Sequence, residues 1–358
     1  MLAPSIGGLQ QTTNYKVVLP FYVYAAISFF IGTILLLLNT DIINVHYFNP
    51  HTLAITHVMA LGWGTMIVLG ASHQLLPVLV EGKLDSNLLA YLSFIFTAIG
   101  IPILLVGFYT FQLGSSTQFG GILINIGVIC YLVNVLASSL KSNRRNVHAW
   151  YMITAVLWLF SAVFFGLLLL INFSKPILSK DSVHYLALHA HLGIIGWFLL
   201  MVIGVGTRLI PMFLISKYTN DNILWIIYGL INTGLISFVF MLIYQTSAVY
   251  FYLPIFLIMT AIILFGRHCY LAYKVRIRKN VDEQMKTSLL SVAQMILPIV
   301  TLILLLAILP VDIFPNMAIL YGFCIFFGWL TAIIIGMTFK TLPFIIWNKV
   351  YGKIAGLG

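Results

Sequence analysis

The stretch HLGIIGWFLLMVIGVGTRLIP, His191–Pro211, is apolar along most of its length, and its exceptions are spaced. Gly196 and Trp197 come first, Gly204 follows, and Pro211 closes the run. Two other stretches share the pattern: HVMALGWGTMIVLGASHQLLP, His57–Pro77, and FCIFFGWLTAIIIGMTFKTLP, Phe323–Pro343. Alignment matches Gly62, Gly196 and Gly328; Trp63, Trp197 and Trp329; Gly70, Gly204 and Gly336; and Pro77, Pro211 and Pro343. The offsets are 134 and then 132 residues, about four helices per unit. With only seven Trp in the chain, chance accounts poorly for the match. The pattern predicts an internal threefold repeat with pockets at the repeat interfaces. Each Gly pair would lie on one helix face and let a neighbouring helix approach closely. Each Pro would kink or end its helix.

Composition sets the solvent. Of 358 residues, 61% are apolar and 7% charged, against roughly 45–50% and about 25% in soluble domains. This excludes a soluble enzyme, a disordered chain and a coiled coil. At ~20 apolar residues per span there is room for about ten helices. The runs are continuous, without the period-two alternation of a membrane barrel. The expected fold is all-α: a polytopic membrane protein with about ten transmembrane helices in a pseudo-threefold bundle of four-helix repeats. Residues 1–358 form a single transmembrane domain, with repeat units near 17–140, 149–273 and 287–345, the last incomplete. Helices are expected near 17–40, 52–79, 88–109, 119–140, 149–171, 183–214, 222–244, 248–273, 287–309 and 317–345. Asn49-Pro50, Gly114-Ser115-Ser116, Lys175-Pro176, Asn220-Asp221-Asn222 and Phe314-Pro315-Asn316 mark breaks. Thr52, Ser182 and Asn316 are candidate N-caps.

The charge is asymmetric. A net +10 in a membrane chain reports cytoplasmic loops, and nucleic acid is not an expected partner. With the N-terminus inside, 16 of the 18 Lys and Arg fall on the inner side, among them Lys16, Arg144, Arg145, Lys340 and Lys353. Lys175 and Lys180 are left outside. Both termini are therefore expected in the cytoplasm. The polar N-terminus lacks the layout of a cleaved signal peptide, so the first span should remain as an anchor. Cys130, Cys269 and Cys324 stand apart without a CxxC pattern, which argues against a disulfide framework or a thiolate metal site. All eight acids, Asp312 included, fall at helix ends or in loops.

Nine histidines remain. His148 and His268 fall at the basic boundary, where solvated roles are expected. His46 and His51 sit by the first outer loop, and His73 suits a hydrogen-bonded structural role. His57, His189 and His191 lie inside apolar helices, where an ionisable group is a functional candidate by default. A neutral imidazole ligating a metal escapes the cost of burial. His189 and His191 point ~200° apart around their helix and could serve two separate sites. His57 and His191 hold equivalent repeat positions, which makes them natural partners across an interface, in a geometry suited to the axial ligands of a haem iron. His184, one stripe further out, could support that site. A pair of helix-to-helix hydrogen bonds is the alternative for His189 and His191.

LHAHLGIIGW, residues 188–197, resembles the His-x-His helix of haem-copper oxidase subunit I, particularly the cbb3-type oxidases and nitric oxide reductases. The resemblance extends to the NnrS family of short haem- and copper-containing membrane proteins. It implies that His57 and His191 form the axial pair of a haem b. It makes His189 the ligand of a second haem, with Trp63 and Trp197 beside the cofactor. One haem or two, and copper as a further candidate, follow from it. It also implies a quinol or cytochrome electron donor, a bacterial cytoplasmic membrane and a homo-oligomer among the partners. The chain departs from the family in three ways. His-x-His falls on the sixth helix instead of the tenth, Phe323 stands where the repeat would place a histidine, and the seventh helix lacks the copper-binding His pair. With no acid inside a span, proton pumping is not expected. The resulting expectation is electron transfer or nitric oxide handling without pumping. The alternatives are a transporter or channel, and a haem or copper delivery or sensing partner of a respiratory oxidase.

Overall fold

The computed structural model describes residues 13–142, 146–307 and 314–351. Arg144, Arg145, Asp312, Lys353 and the first twelve residues, named in the charge reading, lie outside them. Among the described residues ten helices are long and apolar enough to cross a membrane. They are α1 (Tyr15–Leu38), α2 (Pro50–Leu79), α3 (Asn87–Tyr109), α4 (Ser115–Leu140), α5 (Val147–Ser174), α6 (Val183–Phe213), α7 (Asp221–Ile243), α8 (Val249–Lys274), α9 (Glu283–Leu304) and α10 (Asn316–Trp347). The protein is an all-α, multi-pass membrane protein.

Several starts are set by side-chain caps. Asn146, Asn220 and Asp282 accept from backbone N–H groups of the first turns of α5, α7 and α9. The expected caps fare differently. Asn49, not Thr52, caps α2, because Pro50 starts the helix one turn earlier and needs no N–H partner. Helical backbone already runs from Phe314, so Asn316 lies inside its helix. The Ser182 hydroxyl instead donates to the Leu169 carbonyl, 2.9 Å away.

The matched positions behave alike in space. In α2, α6 and α10 the Gly-Trp pair sits inside a π-helical stretch, at Val58–Thr65, Leu192–Leu199 and Cys324–Leu330. Such widened turns occur as local bulges within α-helices. The two αL helix ends of the first unit recur in the second. Glu81 and Ile215, after α2 and α6, have φ of 52° and 51°; Phe111 and Gln245, after α3 and α7, have φ of 55° and 51°. Each is followed by an N–H reaching back five residues to a carbonyl, as in a Schellman end.

The glycines do what their spacing predicts. A Cβ at Gly62 or Gly70 would come within 2.7 Å of Ser28 Oγ or Phe21 Cβ on α1. At Gly196 it would come within 2.6 Å of Trp158 Cβ on α5, and at Gly336 within 2.9 Å of the Gln284 carbonyl on α9. Gly328 differs: its ψ of −112° breaks α10, and no neighbouring helix presses on it. Pro77 and Pro211 fall two residues before their helices end, whereas Pro343 lies within a helix running on to Tyr351.

The helix α2 is central, with 67% of its span window buried, against 28% for α1 and 22% for α7. The exposed side chains of the outer helices include Phe30, Leu37, Ile226, Phe240 and Phe256, an apolar surface that suits lipid. Ion pairs gather at one end of the bundle: Lys141 with Asp85, Arg208 with Glu81, and both Arg278 and Lys340 with Asp282.

Candidate functional site

His57 ends the regular part of α2, just before its π turn. Its Nδ1 lies 2.8 Å from the Leu53 carbonyl one turn back. His189 of α6 reaches towards α5, where its Nδ1 lies 3.1 Å from the Ala162 carbonyl. Gly166 makes this approach possible, since a Cβ there would stand 2.8 Å from His189 Cε1. A nitrogen facing a carbonyl must carry the proton, so both rings keep a lone pair on Nε2. The two rings are nearly parallel, at 15°, with centroids 6.1 Å apart. They share a slot walled by Phe108, Ile124, Gly121, Leu170, Gly193 and Trp197. Its empty space, counting the open mouth, is about 1150 Å³.

This pairing corrects the sequence expectation. His57 and His191 line different cavities: His191 faces Tyr321 of α10, whose hydroxyl lies 3.2 Å from its Nε2. The reason is geometrical. In a cyclic arrangement of like units, equivalent residues point into successive interfaces and do not meet one another. Position 57 meets the residue two places before its equivalent on the next matched helix, which is His189. By the same rule His191 meets Tyr321. The third such pair would be Phe323 and Ile55, which brings no polar group. The expectation that His189 and His191 serve opposite flanks of one helix agrees with this placement.

Trp197 lines the slot and donates from Nε1 to Thr65 Oγ1 on α2, at 3.2 Å. Trp63, expected beside the cofactor, lines neither cavity described here. It packs on Phe29 with centroids 4.8 Å apart and donates to Thr331 of α10 at 3.0 Å. These two bonds are the same bond one unit apart, and the third acceptor position is occupied by Leu199. His184 sits in a 3₁₀ turn before α6, exposed, against Tyr185, so it does not support the His191 site. His148 and His268, expected in solvent, are buried, because α5 and α8 carry them under the end of α6. His148 Nδ1 lies 3.1 Å from the Gly204 carbonyl. His73 is fully buried with Nδ1 bonded to the Leu69 carbonyl, in keeping with a structural role.

Sequence reasoning missed Tyr321 and Gly166. Tyr321 was within reach, since it stands 132 residues after His189, the same offset as the repeat. Gly166 carries no such signal.

Fold and slot together define a class: a multi-pass membrane protein with two facing histidines deep in an apolar cavity. Comparison with protein-family models and with curated proteins finds no match to the chain. Among the described residues no three His, Cys, Asp or Glu gather closely enough to hold a metal ion by themselves. Any metal at His57 and His189 would need further ligands from elsewhere. A porphyrin supplies four equatorial nitrogens and asks the protein only for axial ones. The 6.1 Å between centroids leaves room for one ion with bonds of about 2 Å to each ring. These residues fit a haem.

Proposed function

We propose that this chain is a haem-b-binding membrane protein, with His57 and His189 as the axial pair, serving electron transfer or nitric oxide handling without proton pumping. The supporting observation is the near-parallel pair of rings whose Nδ1 atoms are tied to carbonyls of Leu53 and Ala162. Those carbonyls fix the tautomer and hold each Nε2 ready to ligate, as outer partners of metal-binding histidines do. The apolar walls keep water from the rings. When bound, the haem supplies a one-electron iron couple. The resemblance to oxidase subunit I is retained in this reading as a shared scheme: matched helices α2, α6 and α10, with histidines at their interfaces. The threefold repeat belongs to the proposal too, and the three π turns, the paired αL ends and the repeated Trp–Thr bond support it. So does an orientation with the ion-paired end in the cytoplasm of a bacterial cell.

The test is an absorption spectrum with pyridine haemochrome on protein expressed with ample haem. The expected result is a bis-histidine b-type spectrum that is lost in His57→Ala and in His189→Ala but kept in His191→Ala. A haem-free protein would overturn the proposal. Loss in His191→Ala with retention in His189→Ala would restore the pairing by equivalence.

A further inference from the structure

The cavity on the opposite flank of α6 is built differently from the histidine slot. His191 Nδ1 lies 2.8 Å from the Ala187 carbonyl, so its proton is on that nitrogen and Nε2 is an acceptor. The only proton left for the 3.2 Å contact is the Tyr321 hydroxyl, which therefore donates to His191. The phenol oxygen keeps its own acceptor lone pairs. Around it the walls are apolar: Phe238, Phe251, Pro254, Ile258, Leu302 and Trp329. The empty space, counting the mouth, is about 1030 Å³. A metal clasp is excluded on distance. Two axial bonds of about 2 Å would hold the ligating atoms about 4 Å apart, and here they touch at 3.2 Å.

We infer that this cavity binds a membrane-dissolved aromatic alcohol of the hydroquinone or phenol class, whose hydroxyl donates to Tyr321 Oη. A ligand with no polar atom would leave that acceptor unmet, and a strongly polar one would find no second partner. An apolar body carrying one hydroxyl donor meets both conditions. The aromatic members of the wall, Phe238, Phe251 and Trp329, favour a flat ring over an acyl chain. His191 positions the phenol by fixing which way its proton points. The binding claim needs no haem, so it stands or falls separately from the proposed function.

The test uses the purified full chain in lipid nanodiscs, titrated with a short-alkyl hydroquinone and with its dimethyl ether. The ether keeps the ring and loses both donors. The expected result is binding of the hydroquinone about five- to tenfold tighter than the ether, the range of one hydrogen bond. Tyr321→Phe should erase that preference while leaving the ether's affinity unchanged. Leu302→Trp, which fills the cavity, should abolish binding of both. Equal affinities in the unmodified protein would overturn the inference, as would a preference that survives Tyr321→Phe. Binding indifferent to Leu302→Trp would assign the signal to lipid partitioning and overturn it as well.

Discussion

At the scale of single residues, the slot depends on an atom that is missing. Gly166 lets the His189 ring lie against α5, where it bonds to Ala162. Gly166→Ala would set a methyl 2.8 Å from Cε1 and 3.3 Å from Nδ1 of that ring. The ring must swing away, and its bond to the carbonyl goes with it. Haem affinity is then expected to fall about tenfold or more, the usual cost of losing an outer partner of a metal-binding histidine. Gly229→Ala on α7, where the new methyl meets nothing within 4 Å, should leave affinity unchanged. Haem titration of the two variants checks this, and equal affinities would detach Gly166 from the site. The three histidines themselves were legible, because an imidazole inside an apolar helix stands out. Their pairing was not. Equivalence in a repeat says which residues are alike, whereas contact across a cyclic interface joins residues that are unlike.

At the scale of elements, the repeated glycines are contact points, and they differ in what they press upon. At Gly336 an added Cβ would come within 2.9 Å of the Gln284 carbonyl and 3.0 Å of the Ser288 nitrogen, both backbone atoms that cannot rotate aside. At Gly206 the nearest neighbour is the edge of the Phe265 ring, at 3.1 Å. Gly336→Ala should therefore cost about 1–3 kcal/mol, as overpacking does, and Gly206→Ala less. Thermal unfolding in detergent would order the two, and the reverse order would refute the account. The junction of α9 and α10 adds a pH dependence. Burial pushes the Asp282 carboxyl up, but Lys340, the Met285 N–H and Arg278 outweigh it and hold the group below the ordinary carboxylate range. A carboxylate depressed in the folded state stabilises above its unfolded pKa of ~3.9, and that stability is lost as pH falls through the lower folded value. Asp282→Asn should lower the unfolding temperature at pH 7, and the difference from the unmodified protein should close as pH falls below about 4. A difference that stays constant across that range would show that the charge is not involved. The helices were legible to within a few residues because apolar length is a strong signal. The π turns were not, since their widened bonding leaves no distinct residue pattern.

At the scale of the whole molecule, the question is which way the bundle faces. Acids and bases in the structure gather at the end formed by the α2–α3, α4–α5, α6–α7 and α8–α9 connections, where Asp85, Glu81 and Asp282 each meet a base. The opposite end carries Lys175 and Lys180. Ion pairing does not cancel this asymmetry: Asp282 alone is met by two cations, and Lys217, Arg267, Lys274 and Lys279 add to the excess. Moving positive charge out across a membrane is what the bias in loop composition avoids, so that end should face the cytoplasm. Two exposed positions separate the alternatives, Ser179 in the loop between α5 and α6 and Lys279 in the loop between α8 and α9. Cys130, Cys269 and Cys324 of the unmodified protein set the background. In intact cells, a maleimide that cannot cross membranes should label Ser179→Cys and spare Lys279→Cys until the cells are permeabilised. Labelling of Lys279→Cys from outside would invert the topology. It would also move His57 and His189 from the outer half of the bilayer to the cytoplasmic half, where an electron donor would have to meet them from the other side.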